Sequence, residues 1–486
     1  RSRGLGDVYK RQGHAPTSDF KIIGTIKQRK RMKERLIFLL LPLLMSGCGI
    51  YNKYERPNDI PVPLSYRDIP LSERSSNNLA ILSWRTLFTD TCLQNLIDKG
   101  LEHNTELSIA RLRVEQAEAV LLSSKLAYLP SLSADAEGSL NSIDGAKPGK
   151  SYTIAGKASW EIDIFGKVTN AKREARAELE KTRAYELAVQ TQLIATVADS
   201  YYMLLTLDRQ LEINRATLEA WEKTVRTMEV LKHTGQQNDT DVLQAQANCL
   251  ALRASLSQTE QSIHETENSL SVLLGVTPQH IHRGTIADVQ LPPALHAGVP
   301  LQLLENRPDV RQAEAELAKA FYATNSARAA FYPSLTLSGT AGWTNNAGGA
   351  IINPAQVLLS AVGSLTQPLF NKGENIANLR VAKADQEIAR KSFQQVLLNA
   401  GQEVNDALTQ YQMADKRTVY YSNQIGALRR VVHKTELLMK HSSVNYLEVL
   451  TAHRSLLTAE LSQVQSYFEQ IQGMINLYHA LGGGIL

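Results

Sequence analysis

Few residues of this sequence are spaced for catalysis or for metal binding. His280 and His282 form a His-x-His pair after Pro278, but neither a cysteine nor a carboxylate stands close to them in the sequence. Structural and catalytic metal sites need three or four such ligands, so we interpret the pair as part of a surface loop. The chain also contains no P-loop and no GxGxxG, GxSxG or HExxH motif. The sequence therefore predicts no enzyme activity, no cofactor and no metal site.

Cys48 carries the clearest chemical signal, because of the segment that precedes it. Met32 is followed by two basic residues, by the apolar stretch 36–44, which is interrupted only by Pro42, and then by small residues. This order of charged, apolar and small residues is that of a secretory signal peptide. The apolar stretch is far shorter than the roughly 20 residues that span a bilayer as a helix.

The end of this peptide resembles a bacterial lipobox, in which small residues precede a cysteine that is lipidated and becomes the new N-terminus. We therefore expect residues 32–47 to be removed and Cys48 to be acylated. Gly49 follows the cysteine in place of the Asp that retains such lipoproteins at the inner membrane, which implies sorting to the outer membrane. The alternative is an ordinary signal peptide with a cysteine near its cleavage site by chance.

The segment 1–31 precedes the signal peptide, and we interpret it as an assembly artefact because DVYKRQ at 7–12 resembles a translated transposon end. The alternative, a true extension, would contradict the signal peptide. The first 47 residues hold 11 Lys and Arg against 3 Asp and Glu, so the net charge of +4 becomes −4 for the remainder. Because a basic balance is what favours nucleic acid as a partner, the mature chain is not predicted to bind it.

Two stretches of the mature chain, 131–141 and 151–164, alternate between apolar and polar residues. This period predicts β-strands with one apolar and one polar face, each long enough to cross a bilayer as a tilted strand. The mature sequence has no run of 18 apolar residues, so a membrane crossing would need a closed barrel of such strands. Trp160 and Ile162 would then face lipid, with Trp160 in an interfacial aromatic belt. The alternative is a half-exposed strand of a soluble sheet.

The sequence also contains an internal duplication. The first strand and its approach, AYLPSLSADAEGS at 127–139, are matched by AFYPSLTLSGTAGW at 330–343, with an offset of 203 residues between the two prolines. DVLQAQ at 241–246 is matched by EVLTAH at 448–453, with an offset of 207 residues. Matched order at a nearly constant offset indicates two structural repeats in one chain.

The duplication divides the mature chain into four parts. These are an N-terminal segment at 48–82, a first repeat at 83–275, a linker or equatorial segment at 276–304 and a second repeat at 305–486. The second repeat supplies a third strand at about 334–344, with Trp343 on its lipid side, and a fourth at about 357–369. The fourth strand alternates only weakly, and Pro368 has to lie at its end.

Long helices are predicted after each strand pair. Neither Gly nor Pro occurs in 167–234, and a single helix over these residues would be about 100 Å long. Eleven mostly apolar residues from Leu193 to Met228 alternate spacings of four and three, which is the pattern of a coiled-coil seam. The second copy covers 374–441, and return helices follow polar loops at 240–274 and 447–481. A helix of this length cannot fold inside a globular domain, so it has to project.

Together these features resemble the TolC-type outer-membrane factors, and most closely the NodT-like lipoproteins that serve resistance-nodulation-division (RND) efflux pumps. The resemblance covers residues 48–486. The residues that carry it are the lipobox, the paired strand entries, the FGK and FNKG turns, the DVLxA and EVLxA motifs, WRTLF at 84–88, NTELSIA at 104–110, LLENRPDV at 303–310 and the terminal ALGGG.

The resemblance implies a mixed α+β protein of the Gram-negative outer membrane. Three chains would contribute four strands each to a 12-stranded β-barrel, which a coiled-coil helical tunnel continues into the periplasm. Export of drugs or other small toxic compounds would be passive, with the energy supplied by an inner-membrane RND pump that is joined through a periplasmic adaptor protein. The alternatives are a duct for type I protein secretion and an envelope lipoprotein that forms no channel.

Three acidic residues follow from the resemblance as candidates for a periplasmic gate. Asp241 and Glu448 begin the matched DVLxA and EVLxA motifs, and Asp239 lies beside the first. In TolC-like proteins acidic residues at the matching positions belong to the gate, which implies a ring of six carboxylates whose charges repel. Thr451 departs from the pattern, because some relatives are acidic there. The alternative is that these are solvated carboxylates favoured by the positive end of the helix dipole.

Overall fold

A computed structural model describes residues 53–57, 83–142, 144–145, 148–235, 238–291, 307–345, 356–440 and 446–483. The signal peptide, Cys48 and most of the N-terminal segment lie outside these residues. The chain divides into two compact units. The first unit holds Tyr128–Thr169 and Arg328–Lys372, and the second holds Tyr54–Ala127, Asn170–Ala327 and Gly373–Leu486.

The first unit contains a four-stranded antiparallel sheet with the strands in sequence order. The strands are β1 (Ser131–Asn141), β2 (Gly149–Ile162), β3 (Ser334–Asn345) and β4 (Gln356–Thr366). β4 ends three residues before the end predicted from the sequence, and Pro368 follows it. Since proline has no N–H to donate to a ladder, the pairing has to stop before it.

Strand pairing gathers the apolar positions of all four strands on one face of the sheet. Ile154 of β2 lies opposite Ala136 of β1 and Trp343 of β3, and Trp343 lies opposite Val357 of β4. Because directly opposed residues point to the same side, the alternating patterns of the separate strands merge into one continuous apolar surface. β4 is the least regular strand, since Leu358 shares the polar face.

A carboxylate ends β2 and begins the long helix that follows it. Asp163 accepts hydrogen bonds from the backbone N–H groups of Val168 at 2.9 Å and Thr169 at 2.8 Å. These first-turn donors have no partner within a helix, so the side chain stabilises the helix start. Gly166 in the same turn and Gly373 in the second repeat have φ values of 71° and 82°, a conformation that glycine adopts without strain.

Helices form most of the second unit. They are α1 (Trp84–Leu87), α2 (Thr91–His103), α3 (Thr105–Leu126), α4 (Lys167–His233), α5 (Asp239–Leu273), α6 (Pro308–Ala329), α7 (Glu374–Lys440) and α8 (Tyr446–Ala480). One short 3-10 helix, Ile286–Asp288, lies between α5 and α6. Within the described ranges, no helix combines the length and the apolar content that crossing a membrane requires.

The helix bounds repeat the duplication residue for residue. α3 and α6 have 22 residues each and begin 203 residues apart. α4 and α7 have 67 each, α5 and α8 have 35 each, and both pairs begin 207 residues apart. The two repeats therefore have the same helical framework, and a residue in one has a defined counterpart in the other.

The core of the second unit lies along α4 and α8. Each of the eleven residues of the predicted α4 seam, from Leu193 to Met228, is buried or half-buried. Phe88, Tyr201 and Tyr478 are among its fully buried side chains. The hydroxyl of Tyr201 donates to Asp90 at 2.5 Å and accepts from the backbone N–H of Gly284 at 3.1 Å. This tyrosine connects the start of α2 to the segment after α5.

Candidate functional site

The apolar face of the sheet is exposed within the chain. Leu132 is 80% exposed, Leu359 is 81% exposed and Trp343 is 50% exposed. Monomeric soluble proteins rarely expose a contiguous apolar surface that extends over four strands, so this face requires an apolar medium or a partner.

The three residues predicted to face lipid all lie on this apolar face. Ile162 is opposite Leu335, and Trp343 is opposite Ile154. The indole N–H of Trp160 donates to the carbonyl of Tyr128 at 2.9 Å, so its polar group is satisfied while its ring stays exposed. An aromatic ring with one satisfied polar end is suited to the border between lipid and water.

The opposite face of the sheet is held together by polar side chains. Lys157 lies 3.5 Å from Asp135, and the hydroxyls of Thr153 and Thr344 are hydrogen-bonded at 3.1 Å. Ser139 and Ser151 form a further pair at 2.7 Å. This face is therefore suited to contact with water.

The first turn of α5 carries two of the three gate candidates. Asn238 caps α5 by accepting from the backbone N–H of Thr240 at 3.0 Å. Asp239 forms an ion pair with Lys232 in the last turn of α4, a partner that the sequence analysis did not identify. Asp241 is half-buried, next to the buried Val242. Lys232 therefore opposes the charge of Asp239.

Glu448 is exposed in the first turn of α8, at the repeat counterpart of Asp241. Two residues after it, Leu450 joins Val242 in one buried cluster, whose other buried members are Met228 and Ala245. The structure thus brings the starts of α5 and α8 together in the second unit. The two candidate carboxylates stand one and two residues from this shared cluster.

Matched polar side-chain pairs join α4 to α5 in the first repeat and α7 to α8 in the second. Gln246 donates to Glu229 at 2.9 Å, and their counterparts His453 and Glu436 lie at the same distance. Further along, Arg253 pairs with Glu222 at 2.7 Å. The counterpart of that pair, Arg429 with Glu460 at 2.8 Å, has the two charges exchanged between the helices. The two repeats therefore share this contact between helices, but the positive and negative residues are exchanged.

A second matched contact lies at the other end of the return helices. The side-chain amide of Asn104 donates to the carbonyl of Leu273 at 2.9 Å. Its counterpart Arg307 donates to the carbonyl of Ala480 at 2.7 Å. Both carbonyls belong to helix C-termini, where the last carbonyl groups have no N–H donor inside the helix. The donors precede α3 and α6, so each repeat closes onto the end of its own return helix.

Arg307 also binds two carboxylates, which Asn104 cannot do. Its guanidinium lies 2.7 Å from Asp309 and 2.6 Å from Glu403, and its side chain is only 4% exposed. Burial opposes the charge of Asp309, but the hydrogen bonds and charge of Arg307 outweigh it, so the pKa of Asp309 lies below its ordinary value. Burial, reinforced by Arg307, lowers the pKa of His479. The sequence showed LLENRPDV only as a motif, without this network.

The structure gives the His-x-His pair a carboxylate neighbour that the local sequence did not show. His280 has a carboxylate partner, because its Nδ1 lies 2.7 Å from Oε1 of the buried Glu267. Glu267 also pairs with Arg283, which in turn binds Asp208 at 2.6 Å. The carboxylate was missed because it lies thirteen residues earlier, in α5. In the described ranges, no three His, Cys, Asp or Glu residues form a group that could hold a metal ion.

Comparison with known proteins identifies this arrangement. The family model described as "Outer membrane efflux protein" matches residues 96–276 and 299–483. The cation efflux system protein CusC of Escherichia coli K12 is 28% identical over 461 residues, with 93% of this chain and 99% of CusC covered. The probable outer membrane lipoprotein SilC of Salmonella typhimurium is 29% identical over 464 residues, with the same two coverages.

The fold is also that of solved channels. The open state of the MtrE outer membrane channel of Neisseria gonorrhoeae has a TM-score of 0.81 and 28% identity, covering 90% of this chain and 99% of MtrE. The predicted fold of four antiparallel strands and long helices per chain is thereby confirmed, as is a channel function without enzymatic activity. The chain belongs to the outer membrane efflux protein family and is an outer-membrane channel of an efflux system.

Proposed function

We propose that three copies of this chain form a passive exit duct, with Cys48 acylated and the apolar face of the sheet in contact with membrane lipid. The observation that carries the proposal is the continuous exposed apolar face of β1 to β4, with Trp160, Ile162 and Trp343 on it. Lipid is the medium that such a face needs, and the opposite polar face then lines a water-filled lumen.

The free edges of the sheet support several copies rather than one. β1 and β4 are the outer strands of the sheet. In lipid an unpaired strand edge leaves backbone N–H and C=O groups without partners, which costs several kcal/mol for each group. Four strands are too few to close a barrel, because natural barrels begin at about eight. Three chains would give twelve strands and leave no edge.

The partners proposed for the duct are a periplasmic adaptor and an inner-membrane RND transporter. The family supports this, since its model is described as an outer membrane efflux protein and CusC is named as part of an efflux system. CusC is named for cations. For this chain we propose drugs or other small toxic compounds that the pump delivers. Copurification with tagged chain from membranes tests the proposal, and recovery of a protein-secretion ATPase instead would contradict it.

Channel formation is tested by conductance of the purified protein in planar bilayers. We expect current steps of uniform size. In detergent, the mass of the protein should correspond to three chains. Loss of conductance in a correctly folded trimer would contradict the duct, and a stable monomer would contradict the assembly.

The gate is proposed to include Asp241 and Glu448. Asn replacement of both should lower cation selectivity and weaken block by multivalent cations, because a ring of six carboxylates would lose its charge. Asp239→Asn is the matched control, since Asp239 is already paired with Lys232 and is expected to change selectivity less. If the double variant assembles normally and its selectivity and block are unchanged, these carboxylates are solvated helix ends and the gate lies elsewhere.

A further inference from the structure

Within the four described strands, the charged side chains of the polar face all belong to the first repeat. β1 supplies Asp135 and Glu137, and β2 supplies Lys157 and Glu161. The positions of β3 and β4 on this face hold serine, threonine, glycine and glutamine, apart from two aliphatic residues of β4. The strand register therefore gathers the charge of the polar face on two neighbouring strands.

Two of the three carboxylates on this face have a cation beside them. Asp135 lies 3.5 Å from Lys157. Glu161 lies 2.8 Å from Lys167, the first residue of α4. The charges of each pair sum to zero, so the two pairs add no net charge to the polar face.

Glu137 is the carboxylate of this face that no cation of the described residues neutralises. It is exposed and lies opposite Thr153 of β2. Lys157 is four residues from Thr153 along β2, which is about 13 Å at about 3.3 Å per residue. This distance exceeds the Debye length of about 8 Å at physiological ionic strength, so the charge of Lys157 is screened from Glu137. Lys150 is nearer, but the register places it on the apolar face.

We infer that Glu137 gives the barrel lumen a preference for cations over anions, separate from the gate proposed at Asp241 and Glu448. The inference rests on the proposed duct, in which the polar face lines the lumen. Symmetric copies have the same register, so three copies would place three Glu137 carboxylates at one level of the barrel. Rings of acidic side chains favour cations in many channels. The class of solute favoured at this level is therefore the small cation.

The width of the barrel determines when such a ring acts. Twelve strands about 4.8 Å apart and tilted by about 40° give a backbone radius of about 12 Å. Inward-pointing glutamate side chains then hold their carboxylates about 7 Å from the axis. In water, three such charges would concentrate K⁺ on the axis about fourfold at 0.1 M salt but only about 1.3-fold at 1 M. The preference should therefore depend on ionic strength.

Reversal potentials of single channels in planar bilayers test the inference. Glu137→Gln keeps the shape of an exposed side chain and removes its charge. The K⁺ to Cl⁻ permeability ratio should fall at least about twofold at 0.1 M KCl and change less than about 1.5-fold at 1 M. Glu137→Lys should reverse the preference at 0.1 M. Both variants are measured with Asp241→Asn and Glu448→Asn present, so that the gate carboxylates do not mask the barrel.

The matched control exchanges the charges of the neighbouring pair. Asp135→Lys with Lys157→Asp keeps the sum of that pair at zero, so the permeability ratio should not change. If the exchange lowers the ratio as much as Glu137→Gln does, the preference does not come from Glu137 and the inference is wrong.

A chemical rescue separates charge from shape at the same position. The test protein carries Glu137→Cys after Cys92 and Cys249 have been replaced by alanine. A methanethiosulfonate reagent that bears a sulfonate should restore the preference for K⁺, and one that bears a trimethylammonium group should reverse it. Reagents of both charges that leave the ratio unchanged would contradict a lumen position for this side chain.

The outcomes distinguish this inference from the proposed duct. If wild-type trimers conduct and neither Glu137→Gln nor Glu137→Lys changes the permeability ratio at 0.1 M KCl, the assignment of Glu137 is wrong and the duct stands. If purified wild-type protein forms no channel, the duct and this inference are both wrong.

Discussion

Replacing Arg307 by alanine would remove the buried guanidinium that closes the second repeat onto the end of α8. Three acceptors lose their donor: the carbonyl of Ala480 at 2.7 Å, Asp309 at 2.7 Å and Glu403 at 2.6 Å. A buried carbonyl left without a donor costs about 1–3 kcal/mol. The two carboxylates are 43% and 51% exposed, so water replaces much of what they lose and each adds at most about 1 kcal/mol. We expect a total destabilisation of about 2–4 kcal/mol.

Guanidinium-induced unfolding in detergent, followed by far-ultraviolet circular dichroism, measures this change. Arg307→Asn is the informative comparison, because Asn104 makes the equivalent bond to Leu273 in the first repeat. It should recover about 1 kcal/mol of the loss. Arg311→Ala removes an exposed arginine one turn later and should cost less than about 0.5 kcal/mol. If Arg307→Ala costs no more than Arg311→Ala, the contacts of the Arg307 guanidinium contribute nothing to the free energy of unfolding and the reasoning is wrong.

Arg307→Ala should also change how the stability of the protein depends on pH. The folded-state pKa of Asp309 lies below its ordinary value of about 3.9. The stability that this carboxyl contributes is therefore fully present above that ordinary value and is lost as pH falls through the folded-state pKa. Wild-type protein should lose more stability than Arg307→Ala between about pH 5 and pH 3. Equal losses in the two proteins would show that Arg307 does not stabilise the ionised carboxyl.

Three further predictions concern the membrane and the helices. Ile154→Lys should reduce insertion of heat-modifiable trimers, since Ile154 lies opposite the middle of β1 on the apolar face and a lysine at mid-membrane on a lipid face costs about 2–4 kcal/mol. Ser159→Lys on the polar face should insert normally. Equal insertion of the two variants would show that the faces are wrongly assigned. Mass spectrometry of the mature N-terminal peptide should find Cys48 acylated, and an unmodified cysteine would exclude this anchor. Glu222→Arg should lower the thermal midpoint of the helices and the added change Arg253→Glu should restore it, as the second repeat already carries the exchanged pair; a double variant no better than the single one would contradict this.

Local sequence patterns were sufficient for the strands and the long helices. β2 alternates so regularly that its two faces can be read directly from the residues, and pairing then keeps Trp160 and Ile162 on one side. The helix predicted over 167–234 is found as Lys167–His233, because no glycine or proline interrupts it. β4 was harder to delimit, since Leu358 on its polar face breaks the alternation that the prediction used.

Contacts between distant residues could not be predicted in the same way. Arg307 and Ala480 are 173 residues apart, and nothing in either motif shows that one donates to the other. Lys232 was missed as the partner of Asp239 because the two residues belong to different helices, and a local sequence pattern does not show contacts between helices. The duplication did hold usable information, because Asn104 and Leu273 have the same spatial relation as Arg307 and Ala480 once the two offsets are applied.

The two repeats differ in how they distribute charge, and this difference bears on where a duct could select ions. Glu222 with Arg253 and its exchanged counterpart each sum to zero, so pairs of this kind add no net charge to the helices. Asp241 and Glu448 instead have the same sign at equivalent positions, so their charges would add in every copy and around the proposed ring of copies. The field of like charges is strongest where they are closest. Ion selectivity should therefore depend on Asp241 and Glu448, and exchanging the charges of the Glu222–Arg253 pair should not change it.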